Sequence, residues 1–278
     1  VNARNGVVEE AQYIEVGGGS VLSVLHRPAG AMHAGVVVAP SLFGELAHHQ
    51  RHELLLARRL TASGVAAVQV QYRGTGHSFD GVDPVPTVRS MAQDLSATVA
   101  ALRSQGCSHV VLLGYRLGAL PVRALAQQEA ELPLVLWDPV LRGDDYLRGA
   151  RRAENVARSR VGDRELRPDE HELLGHPLSP WTLDSLRAAS IPHEDLVARD
   201  VLIVTTDRRG STSAEVQALV EAWEATGNRV SSSVVAAKNA WWFVAEEMEP
   251  AERRIEAQES VEVIADWVLA TTARLVGA

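Results

Sequence analysis

The sequence predicts an α/β fold: a mostly parallel eight-stranded sheet, helices on both faces, and an inserted helical cap. Three observations predict it. Apolar runs of strand length alternate with runs of helical spacing. The strand runs are uninterrupted by polar residues, the mark of strands buried on both faces. The rhythm breaks once, between residues 141 and 198, and then resumes.

The elements follow in order. Residues 12–16 and 21–26 flank Gly17-Gly18-Gly19 and read as an antiparallel hairpin. Residues 34–39 are a continuous apolar strand closed by Pro40. Residues 50–62 place Leu54, Leu55, Ala57 and Leu60 at helical spacing, with Gly64 as the stop. Residues 65–71 are the next strand. Thr87 opens a helix through Met91, Leu95, Val99 and Leu102, and Gly106 ends it. A strand at 109–114, a helix at 117–129 and a strand at 133–137 come next. Residues 141–198 are charged and helical, with Pro168, Pro177, Pro180 and Pro192. A strand at 201–205, a helix at 213–225, a strand at 230–236 and a helix at 256–275 complete the chain. The reading is one domain: a core of 1–140 and 199–278, and a cap of 141–198 over the strand C-termini.

Composition narrows the function. The formal charge of -8 lacks the basic excess of a nucleic-acid surface. A single cysteine, Cys107, excludes an intrachain disulfide and points to a reducing compartment. Residues 1–15 are polar and acidic, and no run approaches eighteen apolar residues. A soluble cytoplasmic protein is expected, with a small-molecule or peptide substrate and neither nucleic acid nor membrane as partner. No His-x-x-x-His or clustered Asp/His spacing suggests a metal, and no cofactor is expected. Tryptophan (six) outnumbers phenylalanine (three), and Trp241 and Trp242 are adjacent.

Two loops carry a resemblance. Arg73-Gly74-Thr75-Gly76-His77-Ser78 follows the fourth strand and looks like the R-G-x-G-x-S loop of the α/β-hydrolase fold. Gly114-Tyr115-Arg116-Leu117-Gly118 sits at the next strand-to-helix junction and resembles the frame of its nucleophile elbow. The resemblance spans essentially the whole chain. Its departures matter as much. The elbow position that carries serine in the family carries Arg116, whose protonated guanidinium is no nucleophile. Asp207 matches the family's acid after the seventh strand. No histidine follows His193, so the eighth-strand loop, with Asn239, Trp241 and Trp242, lacks the family's base. Serine hydrolysis through a triad needs nucleophile and base in contact; an atypical member without the triad is expected. Leu113–Leu120 and Leu136–Leu141 also resemble segments of the exosortase-A-system-associated hydrolase 2 group, which carries arginine at the elbow. In kind, the chain resembles the bottromycin-type peptide epimerases, atypical members that lack the triad.

What remains suits enolate chemistry. The N–H groups of Leu42 (or Ser41) and Leu117 are the candidate oxyanion donors, since Pro40 has none to give. Such donors stabilise an enolate oxygen as well as a tetrahedral one. An epimerase or isomerase is therefore expected, on a peptide or acyl natural product. A silent binding protein and a hydrolase with an unconventional nucleophile are the alternatives. Arg116 either holds a substrate carboxylate or forms an internal ion pair, with Asp207 as the suggested partner. Glu45 is the candidate base, unless a substrate carboxylate serves. His48, His49, His52 and His77 are expected at the surface. Phe43, Tyr115, Trp181, Asp207, Asn239, Trp241 and Trp242 are expected to border the substrate, with Ser41 and Glu45; Trp137, Trp223 and Trp267 are expected in the core, and Cys107 in an inert connection.

Overall fold

A computed structural model describes residues 2–4, 7–81, 85–129, 131–161, 172–194, 196, 199–237 and 250–277. Among them, nine strands make one sheet. Its strands are β1 (Asn2–Arg4), β2 (Val7–Val16), β3 (Gly19–Arg27), β4 (Ala34–Ala39), β5 (Ala66–Gln71), β6 (His109–Tyr115), β7 (Leu134–Trp137), β10 (Asp200–Thr206) and β11 (Arg229–Val235). The order is β1-β2-β3-β5-β4-β6-β7-β10-β11, antiparallel as far as β5 and parallel from there. The eight expected strands are present, and β1 adds a ninth at the edge. It is short and polar, so no apolar alternation announces it.

Alternation along the central strands fills two layers. Val36, Val38, Val111, Leu113, Val135, Leu202 and Val204 face α1 (Gly44–Ala62) and α7 (Pro250–Val276), meeting Leu56, Leu60, Ile264 and Val268. Val37, Val110, Leu112, Leu134, Leu136 and Ile203 face the other side, with Leu95, Val99, Leu125 and Trp223. Those four sit on α2 (Val88–Ser104), α3 (Ala119–Ala126) and α6 (Ala214–Ala225). Trp137 and Trp223 are buried and Trp267 packs against the α1/α7 layer, as expected of core residues. Cys107 is buried, and burial pushes its thiol up to about 11, which leaves it inert.

Helix α1 starts six residues earlier than expected. The buried face of its first half is polar: Glu45, His49, His52 and Glu53. Apolar periodicity cannot find such a turn. His49 and His52 are thus buried, not exposed, whereas His77 is exposed. His52 stacks near Trp137, and burial, with Arg51 adding to it, lowers its pKa to about 4, so it is neutral at pH 7.

Glu53 yields a pH prediction. Burial raises its carboxyl to about 7, opposed by a hydrogen bond with Gln69. The folded state therefore favours the protonated form. Its contribution is full below pH 4.5 and is lost as pH rises through 7, about 3 kcal/mol in all. Glu53→Gln should remove that loss. Unfolding free energies of the two proteins should be close at pH 4 and diverge in favour of the variant by pH 8; parallel pH curves would contradict this.

Between β7 and β10 the chain forms α4 (Gly143–Val161), a small hairpin of β8 (Glu172–Leu173) and β9 (His176–Pro177), and α5 (Pro180–Ala188). Gly143 lets α4 start against the backbone of Leu186, where a Cβ would clash with the carbonyl. No described helix is long and apolar enough to cross a membrane.

Candidate active site

The site begins where β6 ends. Arg116–Gly118 form a 3-10 turn that passes the chain into α3. Gly114 and Gly118 make this possible. A Cβ on Gly114 would lie 2.6 Å from Ala119 Cα, and one on Gly118 would collide with the Ala39 carbonyl. Arg116 is at the apex with φ 51°, the left-handed conformation typical of a nucleophile elbow. The residue is 5% exposed.

Arg116 is held by an ion pair with Glu45, not Asp207. Its Nη2 and Nε donate to Glu45 Oε1 at 3.2 and 3.3 Å, and Nη1 donates to the Asp138 carbonyl at 3.1 Å. Glu45 comes from the first turn of α1, positioned by Phe43, whose φ of 59° swings the chain from β4 into the helix. The other carboxylate oxygen of Glu45 accepts from Ser41 Oγ at 2.5 Å. Leu117 N–H in turn reaches Ser41 Oγ at 3.4 Å. One candidate oxyanion donor is thus turned toward a serine hydroxyl, and Leu42 is buried beside it. A guanidinium, a carboxylate, a hydroxyl and a helix-opening N–H converge at the C-terminal ends of β4 and β6.

Asp138 adds a second carboxylate. It follows β7 with φ 44°, and Thr206 donates to it through its backbone N–H at 2.6 Å and its hydroxyl at 2.8 Å. Burial raises its carboxyl to about 6, against the opposing pull of Arg116 and the Thr206 bonds. Sequence reading passed over Asp138, although a carboxylate at a strand C-terminus next to the elbow strand was a legible signal.

Other expected site residues lie elsewhere. Tyr115 precedes the apex, so strand alternation sends its ring to the opposite layer. There it meets His49 (ring centroids 4.2 Å apart) and Trp137 (4.6 Å), and it is core rather than pocket lining. Asp207 is engaged by its own loop: the N–H groups of Arg209 and Ser211 and the Ser211 hydroxyl all donate to Oδ1. These bonds hold its carboxyl below the usual range. Local turn closure outcompetes the long reach to the elbow. Trp181 is 53% exposed on α5 and does not line the cleft described next. Asn239, Trp241 and Trp242 lie outside the described residues.

A cleft of about 360 Å³ opens at Leu42, Phe43 and Leu46, the chain neighbours of Ser41 and Glu45. Leu42, Phe43 and Leu46 form one wall and the Gly74–Thr75–Gly76 loop another. His176 and Leu178, from the segment between β7 and β10, form a third; the His176 ring is 6.0 Å from that of Phe43. Phe43 lies at a wall of this cleft, and His176, which the sequence did not single out, lies opposite it.

Strand order, elbow and inserted segment define an α/β-hydrolase fold, and solved structures agree. Est1E from Butyrivibrio proteoclasticus is 14% identical over 96% of this chain and 99% of its own, with a TM-score of 0.61. An esterase from Pyrococcus furiosus is 14% identical over 94% and 91%, with a TM-score of 0.65. Brefeldin A esterase, a bacterial homologue of human hormone sensitive lipase, is 19% identical over 98% and 79%, with a TM-score of 0.60. At these identities the likeness establishes the fold. No family model matches the chain, and no curated protein matches it.

Proposed function

We propose that this protein is a non-hydrolytic enzyme of the α/β-hydrolase fold, an epimerase or isomerase acting next to the carbonyl of a peptide-like or acyl natural product. One observation carries the reading: the elbow apex holds Arg116 tied to Glu45, while the Leu117 N–H of the following 3-10 turn points at an oxygen, that of Ser41. The fold's nucleophile is replaced by charge, and its oxygen-stabilising end is kept. A carboxylate, Glu45 or one on the substrate, takes the α-proton. The C–H electron pair then moves toward the carbonyl, and the Leu42 and Leu117 N–H groups hold the resulting enolate oxygen. Return of a proton to the opposite face completes epimerisation with no net change in atoms or electrons. α4, the β8–β9 hairpin and α5 serve as the cap, excluding water from the enolate. The resemblance in kind to the bottromycin-type epimerases, which lack the triad, supports this chemistry.

The test is isotope exchange. Acyl and N-acetyl amino acid amide substrates incubated with the protein in D₂O should gain deuterium at the α-carbon. Bound substrates without deuterium would support a silent receptor instead. If a substrate carboxylate is the base, its esters and amides should bind but not exchange.

A hydrolytic reading has one specific support, the 2.5 Å contact between Ser41 Oγ and Glu45, a hydroxyl on a carboxylate with an N–H alongside. It predicts fluorophosphonate labelling that is lost in Ser41→Ala. The enolate reading predicts no labelling.

A further inference from the structure

The cleft carries a charge that the enolate chemistry does not use. Leu42, Phe43, Leu46 and Leu178 give it apolar surface, and its side-chain hydroxyls are engaged within the protein. Thr75 Oγ1 donates to the Tyr72 carbonyl at 2.7 Å, and the Ser179 and Thr182 hydroxyls bond each other at 2.6 Å. Asp80 differs. It lines the same cleft, is exposed, and forms no ion pair among the described residues. No arginine or lysine stands among the described residues of the lining. The position of Asp80 is built into the sheet. Just before it, Phe79 is bridged to Ser20 by paired backbone hydrogen bonds of 3.0 and 2.8 Å. Ser78 Oγ donates to the Gln71 carbonyl at 2.6 Å and accepts from Leu22 N–H at 2.9 Å, which ties the loop to β5 and β3. Just after it, Gly81 packs on Gly19 so closely that a Cβ on Gly19 would lie 2.8 Å from the Gly81 nitrogen. Asp80 thus stands at the cleft on a backbone fixed on both sides.

We propose that Asp80 selects the substrate by charge: the cleft takes an acyl or peptide compound bearing a cationic side chain, whose amine or guanidinium pairs with the Asp80 carboxylate. The inference rests on the reading that this cleft receives the substrate, and adds the substrate's chemical class. A carboxylate offers acceptors only, so its partner must donate. In a cleft whose lining supplies no arginine or lysine, a charged donor gains most from it. Leu42, whose N–H is a candidate for holding the substrate oxygen, lines the same cleft. A carbonyl at Leu42 and a cation at Asp80, joined by methylenes against Phe43 and Leu178, describe a compound of the arginine or lysine type. Acyl compounds with an anionic tail are repelled. Because Asp80 is exposed, the preference is modest and weakens with salt.

The test compares two probes of nearly equal shape, N-acetyl-arginine amide and its uncharged ureido analogue N-acetyl-citrulline amide, by calorimetric titration of the full chain. At low salt the arginine amide should bind roughly fivefold more tightly, and the gap should narrow as salt is added. Asp80→Asn keeps the shape, removes the charge and breaks no ion pair, so it should fold as the wild type does and bring the two affinities together. Asp80→Lys should place the arginine amide below the citrulline amide. Equal affinities in the wild type, or no binding of either probe, overturn the proposal. A gap that survives in Asp80→Asn also overturns it, since another group then reads the charge. Deuterium exchange at the α-carbon of the same probes tests the enolate reading separately. Exchange without a charge preference sinks the role of Asp80 alone. A preference that depends on Asp80, with no exchange, supports the cationic class and sinks the enolate reading.

Discussion

Placing serine at the elbow should not produce an esterase. Arg116→Ser restores the residue type that the fold uses as nucleophile, and the apex keeps its left-handed φ of 51°. No histidine follows His193 to serve as its base. The change also strips Glu45 of the guanidinium that neutralises it in a buried setting. Removing one partner of a buried ion pair costs about 3–5 kcal/mol, because the other charge stays behind. The expected outcome is a protein less stable by that amount in urea unfolding and without turnover of p-nitrophenyl esters. Adding Glu45→Gln should recover much of the loss, since the stranded charge is then gone. Such non-additivity is the signature of a coupled pair. Wild-type stability in Arg116→Ser would show that the pair is not formed, and ester hydrolysis would show that a base is at hand after all.

How much of this was legible varies with the physics behind each residue. The central strands β4, β6, β7 and β10 were legible because burial on both faces leaves an unbroken apolar run. The elbow was legible because its glycines answer steric demands that few other residues meet. Arg116 was recognised as the departure, and an internal ion pair was one of two readings for it. Its partner was assigned to the wrong element. Asp207 occupied the family's position, but short-range turn hydrogen bonds captured it, and no sequence spacing shows that competition. Glu45, named as a candidate base, is the true partner. Tyr115 adjoins the apex in sequence, but the strand's period of two sends its ring to the opposite layer. Asp138, Thr206 and His176 gain meaning only when chain segments far apart in sequence meet at the strand ends.

The arginine of the R-G-x-G-x-S loop illustrates the same division and carries the other large effect. Arg73 is fully buried. Its backbone N–H and its Nε both donate to the Asp94 carboxylate, at 2.9 and 2.6 Å, and Nη1 donates to the Val16 carbonyl at 3.1 Å. It thus binds β2, α2 and the loop after β5 into one unit. Gly74, Thr75 and Gly76, which follow it, line the cleft. Arg73 acts through position rather than contact with the substrate. Both side chains of the pair are shielded from water, so the partner left after mutation cannot be solvated. Asp94→Ala should therefore cost about 3–5 kcal/mol in unfolding free energy. Asp94→Asn keeps the shape but removes the charge, and should cost less than the alanine because an amide oxygen still accepts from Arg73. Since the pair holds the cleft loop, ligand affinity should weaken in Asp94→Asn even at temperatures where the variant is fully folded. Unchanged affinity in the folded variant would confine the pair to stability, and an alanine variant as stable as the wild type would show that Arg73 finds compensation elsewhere. The loop's motif then has a physical reason independent of any triad. It persists beside an elbow without serine because the sheet, the second helix and the cleft wall all depend on that one buried cation.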